Sequence, residues 1–284
     1  MWSFRLAALA GLGFLAAVSL VVRDDAGAAY PEPEAGAVHD NAYVNEYFGL
    51  RYPLPSGWIQ DIQGPPPSVS GYYSLADLKP SGPTTATMLI AAQDNFFAAE
   101  PIRSAMDFVV AMKSHLDPSL EAPQAPSSVQ ISGQTFARFS YSGAALYHTV
   151  YAAELRCHTV IFSMTSGDPE KVEKLVASLN GISFNTTQEA QWPACIANYA
   201  TGNQVVRRVN PAMAGPRFSS VPARVLVGKD GRVEHVHAIA GFPEQLKSVT
   251  ESLQQWQFKP YSLNGVPVEV ETGILVQFRQ KPAE

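Results

Sequence analysis

Cysteine is scarce in this chain, with two among 284 residues. Two are too few for a disulfide scaffold. Charge is also scarce: Asp, Glu, Lys and Arg make up 16%, against a typical ~25%. No basic excess exists, since 20 Lys and Arg face 25 Asp and Glu for a net charge of −5. That balance opposes a nucleic-acid partner, which requires a basic surface. The 22 prolines form no long tract, which excludes a fibrous protein. No G-x-S-x-G elbow, H-E-x-x-H pair or Walker loop occurs. What is present is an ordinary apolar content of 46%, enough for a folded body. At ~100–200 residues per domain, the length suggests one large domain or two small ones.

The N-terminus sets the expected compartment. Leu6 to Val22 carry no charge, Arg5 precedes them, and Arg23-Asp24-Asp25 follow. Ala26-Gly27-Ala28 is a small-x-small site. A basic start, an apolar stretch and such a site describe a secretory signal. The alternative is an uncleaved anchor, because 17 residues is the lower limit for spanning ~30 Å of hydrocarbon. Residues 1–28 are therefore read as signal peptide or signal anchor, and the remainder is expected outside the cytoplasm. In an oxidising compartment Cys157 and Cys195 can pair, closing a loop worth ~3–4 kcal/mol in the chain-entropy model. Two buried free thiols are the alternative.

Residues 29–41, with two prolines and little to bury, read as a mobile leader. Residues 42–185 alternate strand-like runs with two helices. The first helix is expected over Pro101 to Leu116, ended by Asp117-Pro118. The second begins where Asp168 caps and Pro169 takes the first position. Its stripe is Val172, Leu175, Val176 and Leu179, and it stops at Asn180-Gly181. Strands are expected over Thr85 to Ala92, Val129 to Ser140, Ala145 to Leu155 and Cys157 to Thr165. That order predicts an α+β domain, an antiparallel sheet covered by helices. Residues 186–204 read as a connector.

Residues 205–284 predict a small β-β-α-β domain. Val221 to Val227 and Val233 to Ala240 flank a turn at Asp230-Gly231. A helix carries Leu246, Val249, Leu253 and Trp256 and ends at Lys259-Pro260. Asn264-Gly265 turns into a long last strand, Val266 to Phe278.

The order of these features resembles the C-terminal domain of TonB, an energy transducer of the Gram-negative envelope. The resemblance is carried by Gly231 in the hairpin turn, Trp256-x-Phe258-x-Pro260 at the helix exit, and Gly265-x-Pro267-Val268 before the last strand. Asn210-Pro211-Ala212-Met213-Ala214 is similar to a degraded Tyr-Pro segment of the family. More faintly, Tyr47 to Trp58 resembles the opening of PsbP-like domains, which implies a binding or assembly module over residues 42–185. The TonB-like resemblance implies an envelope partner, such as an outer-membrane transporter, bound by strand addition to an exposed edge. A link to energy-dependent membrane transport is implied with it. The corresponding element is the last strand, with Val268, Val270, Thr272, Ile274 and Val276 on one face. A Pro-rich spacer, which TonB has, is replaced here by residues 42–185.

No catalytic set stands out, and no cofactor is expected. His235 and His237 are two apart on a strand and face one side, half of a metal site. Zinc needs three or four ligands, so the expectation is no metal and a solvated strand face. Asp168 and Asp230 are explained by cap and turn roles. Asn185-Thr186-Thr187 is a sequon that matters only in a glycosylating host. A hydrolase or ligand-binding protein acting through the first domain is the alternative function. Clustered His and carboxylate groups in an apolar pocket would favour it.

Overall fold

A computed structural model describes residues 30–62, 64–83, 85–189, 191–212 and 219–278. The expected export segment lies outside these residues, as do Met213 and Ala214. Residues Pro31–Glu284 form one compact unit.

A 3-10 turn at Pro33–Ala35 leads into strands β1 (Ala37–His39), β2 (Ala42–Asn45) and β3 (Leu50–Pro53). Then come β4 (Trp58–Gln60), β5 (Tyr72–Pro80), β6 (Thr87–Asp94), helix α1 (Ala105–Ser114), β7 (Ser127–Ile131), β8 (Gln134–Gly143), β9 (Leu146–Leu155) and β10 (His158–Ser166). Helix α2 (Pro169–Ser178) and β11 (Ser183–Phe184) follow. The seven strands β4 to β10 form one antiparallel sheet in the order β4-β5-β6-β10-β9-β8-β7. Strands β1, β2, β3 and β11 form a second, smaller sheet.

Alternation along the strands decides what each face of the large sheet buries. Ala137, Phe139 and Ala152 turn one way and meet Ala105 and Val109 of α1. Phe136 and Phe162 turn the other way, where Tyr52 of the small sheet meets Phe162 edge-on at 6.1 Å. The fold is therefore α+β and rich in strands, the expected class. Helix α1 is shorter than its stripe predicted. Ser104 caps it by accepting from the Asp107 N–H at 3.1 Å, which leaves Pro101 to Arg103 outside. Helix α2 starts where predicted, with Asp168 accepting from the Glu170 N–H at 2.9 Å. Strand β5 was not foreseen. A register shift between Ser74 and Ala76 breaks its alternation, so no clean period-two signal survives.

A single turn α3 (Thr186–Glu189) precedes β12 (Ala194–Cys195), β13 (Val205–Arg207), β14 (Ser220–Val227) and β15 (Val233–Ala238). Helix α4 (Pro243–Leu253), β16 (Gln257–Phe258), β17 (Tyr261–Leu263), β18 (Val266–Val268) and β19 (Val270–Gln277) complete the chain. The last sheet runs β12-β19-β14-β15. Val221, Ala223, Val225 and Val270 on it pack with Val249 and Leu253 of α4 and with Phe258. Residues read as connector take part as well, since Tyr199 and Ala200 are buried in that core. The expected last strand divides into two. Val266–Val268 pairs back on Tyr261–Leu263 about Asn264-Gly265, where both residues have positive φ, as a tight hairpin turn requires. Strand β19 starts anew at Val270. Among the described residues no helix is long and apolar enough to cross a membrane.

Candidate functional site

The last strand is fixed on one side and open along most of the other. Strand β14 pairs with β19 from Val227↔Val270 to Ser220↔Gln277. On the outer side β12 pairs only with Val270 and Glu271. The N–H groups of Ala194 and Ile196 donate to the carbonyls of Glu269 (2.8 Å) and Glu271 (3.0 Å). Backbone groups alternate sides along a strand, so those of Gly273 and Leu275 also point outward. Among the described residues no strand pairs with the edge beyond Glu271. Pro222, which lies opposite Leu275, fits this register. It has no N–H to give β19, and its carbonyl accepts from Ile239 instead at 2.9 Å.

Side chains at the start of β19 point into the protein on both faces, whereas Leu275 and Gln277 near its end are exposed. Val270 and Thr272 are buried, and Ile274 and Val276 pack on the α4 core. Val268 sits half-buried on β18, outside β19. The other face carries Glu271 and Gly273. An added Cβ at Gly273 would lie 2.6 Å from Phe96 Cβ, so only glycine lets the loop after β6 approach this closely.

The remaining landmarks are structural. Gly231 has φ +83, and a Cβ there would collide with the Phe258 carbonyl oxygen. The Phe258 N–H in turn donates to the Gly231 carbonyl at 2.8 Å. Phe258 is buried and stacks on Tyr199 with centroids 5.6 Å apart. Trp256 lies beyond the helix end. Its Nε1–H donates to the Val209 carbonyl at 2.8 Å, and Arg208 covers its ring at 5.3 Å. Pro260, Gly265 and Pro267 are exposed.

Beneath the edge lies a buried charge cluster that sequence reasoning missed. Arg224 on β14 forks between Asp94 Oδ2 (Nη1, 2.8 Å) and Glu271 Oε2 (Nη2, 2.5 Å). Glu271 Oε1 also accepts from Arg156 Nε (3.1 Å) and Nη2 (2.9 Å). Two cations and two anions balance, and each is at least nine-tenths buried. Burial pushes the Asp94 carboxyl up, against the pull of Arg224. His158 is fully buried beside them. Its Nδ1 lies 2.8 Å from the Arg156 carbonyl, which can only accept, so Nδ1 carries the proton. Nε2 then faces Asp94 Oδ2 at 3.8 Å with no hydrogen bond. Burial, reinforced by Arg224, drives the imidazole well below its ordinary value. The ring is neutral, and its approach to Asp94 is not an ion pair. The faint sequence signal was a charge set among apolar strand residues, Arg224 in VPARVLV and Glu271 in VEVETGILV.

Arg156 and Cys157 form the β9–β10 turn, both with positive φ, +46 and +61. Cys157 and Cys195 are joined by a disulfide with Cα atoms 5.6 Å apart. One hairpin tip thus holds β12 covalently and Glu271 electrostatically. Neither residue suits a left-handed backbone, and the turn is over-determined by these two attachments.

Residues 212–279 match the family model described as the Gram-negative bacterial TonB protein C-terminal. No curated protein matches the chain. Among solved structures, the solution structure of cyanobacterial PsbP (CyanoP) from Synechocystis sp. PCC 6803 is similar at 14% identity. It covers 53% of this chain and 96% of that one, with a TM-score of 0.38. A protein of unknown function from Pseudomonas aeruginosa is similar at 16% identity over 51% of this chain and 92% of its own, with a TM-score of 0.29. Both TM-scores are below 0.5, and these likenesses carry no weight for function.

Proposed function

We propose that this is a cell-envelope protein whose C-terminal sheet binds an extended segment of an envelope partner as an added strand along β19. One observation carries the reading: the segment matching the TonB C-terminal family ends in a strand whose outer edge is joined by no other strand at Gly273 and Leu275 among the described residues. An unpaired edge offers N–H and C=O groups in a row, and an extended chain completes the ladder. The footprint begins at Gly273, because β12 occupies Val270 and Glu271.

Affinity in this arrangement comes chiefly from main-chain bonds, with the exposed Leu275 side chain beside them. The ion cluster and the disulfide hold the start of the edge rigid, so little ordering is needed at binding. Residues 42–185 act as the scaffold that clamps it. The family suggests an outer-membrane transporter as partner, with a link to energy-dependent transport. The export-type N-terminus supports the same compartment, whether it is cleaved or kept as a tether.

The test compares wild type with Leu275→Pro for binding of N-terminal peptides of outer-membrane transporters. Proline removes one outward N–H without taking a bond from β14, and edges tolerate it. The reading expects at least ~10-fold weaker binding at little change in thermal stability, as the loss of one main-chain bond and its register implies. Equal binding by both proteins would overturn it.

A further inference from the structure

Two aromatic rings from the loop after β6 stand against β19 at Gly273. Asp94 shapes that loop. Its Oδ1 accepts from the Phe96 N–H at 2.8 Å, and its carbonyl accepts from the Phe97 N–H at 3.2 Å. The Asn95 N–H donates to the Cys157 carbonyl at 3.1 Å. These main-chain attachments fix where Phe96 and Phe97 stand. The Arg224 guanidinium lies over the Phe96 ring, 4.8 Å from its centroid. Gly273 pairs with Arg224, so Phe96 covers that pair. Phe97 starts beside Gly71 and ends at β19, where its Cζ would lie 3.0 Å from a Cβ at Gly273. Both rings are half-buried.

The open part of the edge is bare of the usual protection. Exposed edges are commonly blunted by charged side chains or proline, and Gly273 to Val276 contain neither. Leu275 is 51% exposed. By strand alternation it lies on the same face as Gly273, the face against which Phe96 and Phe97 rest. One face of the open edge therefore presents an aromatic ring at Gly273 and an uncovered leucine two residues on.

A strand added outside β19 would run ~4.8 Å away. Its side chains would stand opposite those of β19 on the same face, with Cβ atoms ~4.5–5.5 Å apart. The residue opposite Gly273 meets no β19 side chain, and the tip of the Phe97 ring occupies that place. The residue opposite Leu275 meets the exposed leucine. Main-chain pairing is the same for any sequence, so discrimination between segments falls to side-chain contacts of this kind.

We propose that Phe97 and Leu275 select the partner segment, which carries large apolar side chains, aliphatic or aromatic, at two alternate positions. One packs on Phe97 over Gly273, and the other packs on Leu275. A polar side chain at either position loses water against an apolar surface and finds no hydrogen bond there. This inference rests on strand addition along β19 and supplies the side-chain chemistry of the same site. Residues 42–185 then do more than clamp the edge, since Phe97 belongs to them.

The full chain is titrated by calorimetry and backbone amide NMR with three synthetic peptides of one Thr-rich extended sequence. They carry Leu, Phe or Ser at two alternate central positions. The Leu and Phe peptides are expected to bind at least ~10-fold more tightly than the Ser peptide. Leu275→Asn, at an exposed position, and Phe97→Ala are each expected to reduce that preference at least ~3-fold, with binding of the Ser peptide unchanged. If Phe97→Ala proves unstable, Leu275→Asn carries the test. Equal affinity for the Leu and Ser peptides, with the Gly273 amide shifting for both, overturns the selection and leaves strand addition standing. A preference unchanged in the variants also overturns it. No shift at Gly273 with any peptide overturns strand addition, and the selection falls with it.

Discussion

Asp94 and Arg224, 130 residues apart, meet through a 2.8 Å charge-assisted bond inside the protein. One belongs to the end of the large sheet, the other to the centre of the C-terminal sheet. Glu271 joins them through the second Arg224 nitrogen. Arg224, Asp94, Glu271 and Arg156 thus fasten the second face of the C-terminal sheet, the one turned away from α4.

The first prediction concerns this fastening. Removing one member of a buried ion pair leaves an uncompensated charge and costs ~3–5 kcal/mol. Glu271→Gln removes a carboxylate shared by two guanidinium groups and leaves one excess buried positive charge, since Arg224 keeps Asp94, and urea denaturation should show a loss of that size. A loss under ~1 kcal/mol, the range of surface pairs, would contradict the reading.

The disulfide supplies the second. Cys157→Ser with Cys195→Ser removes a cross-link closing a separation of 38 residues, for an expected loss of ~3–4 kcal/mol. It also frees β12 from the hairpin tip. Amide exchange at Ala194 and Ile196 should then rise more than exchange at the centre of the large sheet.

Much of this was legible and some was not, for physical reasons. Asp168-Pro169 announced α2 to the residue because a cap is a local device. Gly231 was readable because its backbone conformation is set by its own turn. Strand β5 was not, since its bulge erased the period. The ion cluster could not be read either. Arg224 and Glu271 stand out faintly as charges in apolar strands, Asp94 and Arg156 do not, and only the folded chain brings the four together. It also brings together Glu32 and His235, 2.8 Å apart and separated by 203 residues of sequence.

Gly231 gives a third prediction. Gly231→Ala places a Cβ at φ +83 against the Phe258 carbonyl. Left-handed strain alone costs ~1–3 kcal/mol, and the collision adds to it. Gly265→Ala at φ +81 has open space around it and should cost less. Thermal melts of the two variants should rank in that order.

Histidine 158 gives a pH dependence. The folded protein keeps its ring neutral well below the ordinary value of 6.5, while the unfolded chain takes up a proton near ~6.5. Below that pH the unfolded state binds more protons, so stability falls as pH drops through this window. The groups around the ring are Asp94, Arg224, Arg156 and, more distantly, His237. Asp94, raised by burial, acts oppositely. In His158→Phe, stability measured between pH 6.5 and 5 should decline less steeply, by up to ~1.4 kcal/mol per pH unit. Equal slopes would place the titration elsewhere.

The most direct test of strand addition is backbone amide NMR of the full chain during titration with a transporter's N-terminal peptide. The amides of Gly273 and Leu275 should shift and gain exchange protection, while the inward amides of Thr272 and Ile274, already bonded to β14, stay protected throughout. Shifts confined to β15 or to the large sheet, with Gly273 and Leu275 unchanged, would contradict the account.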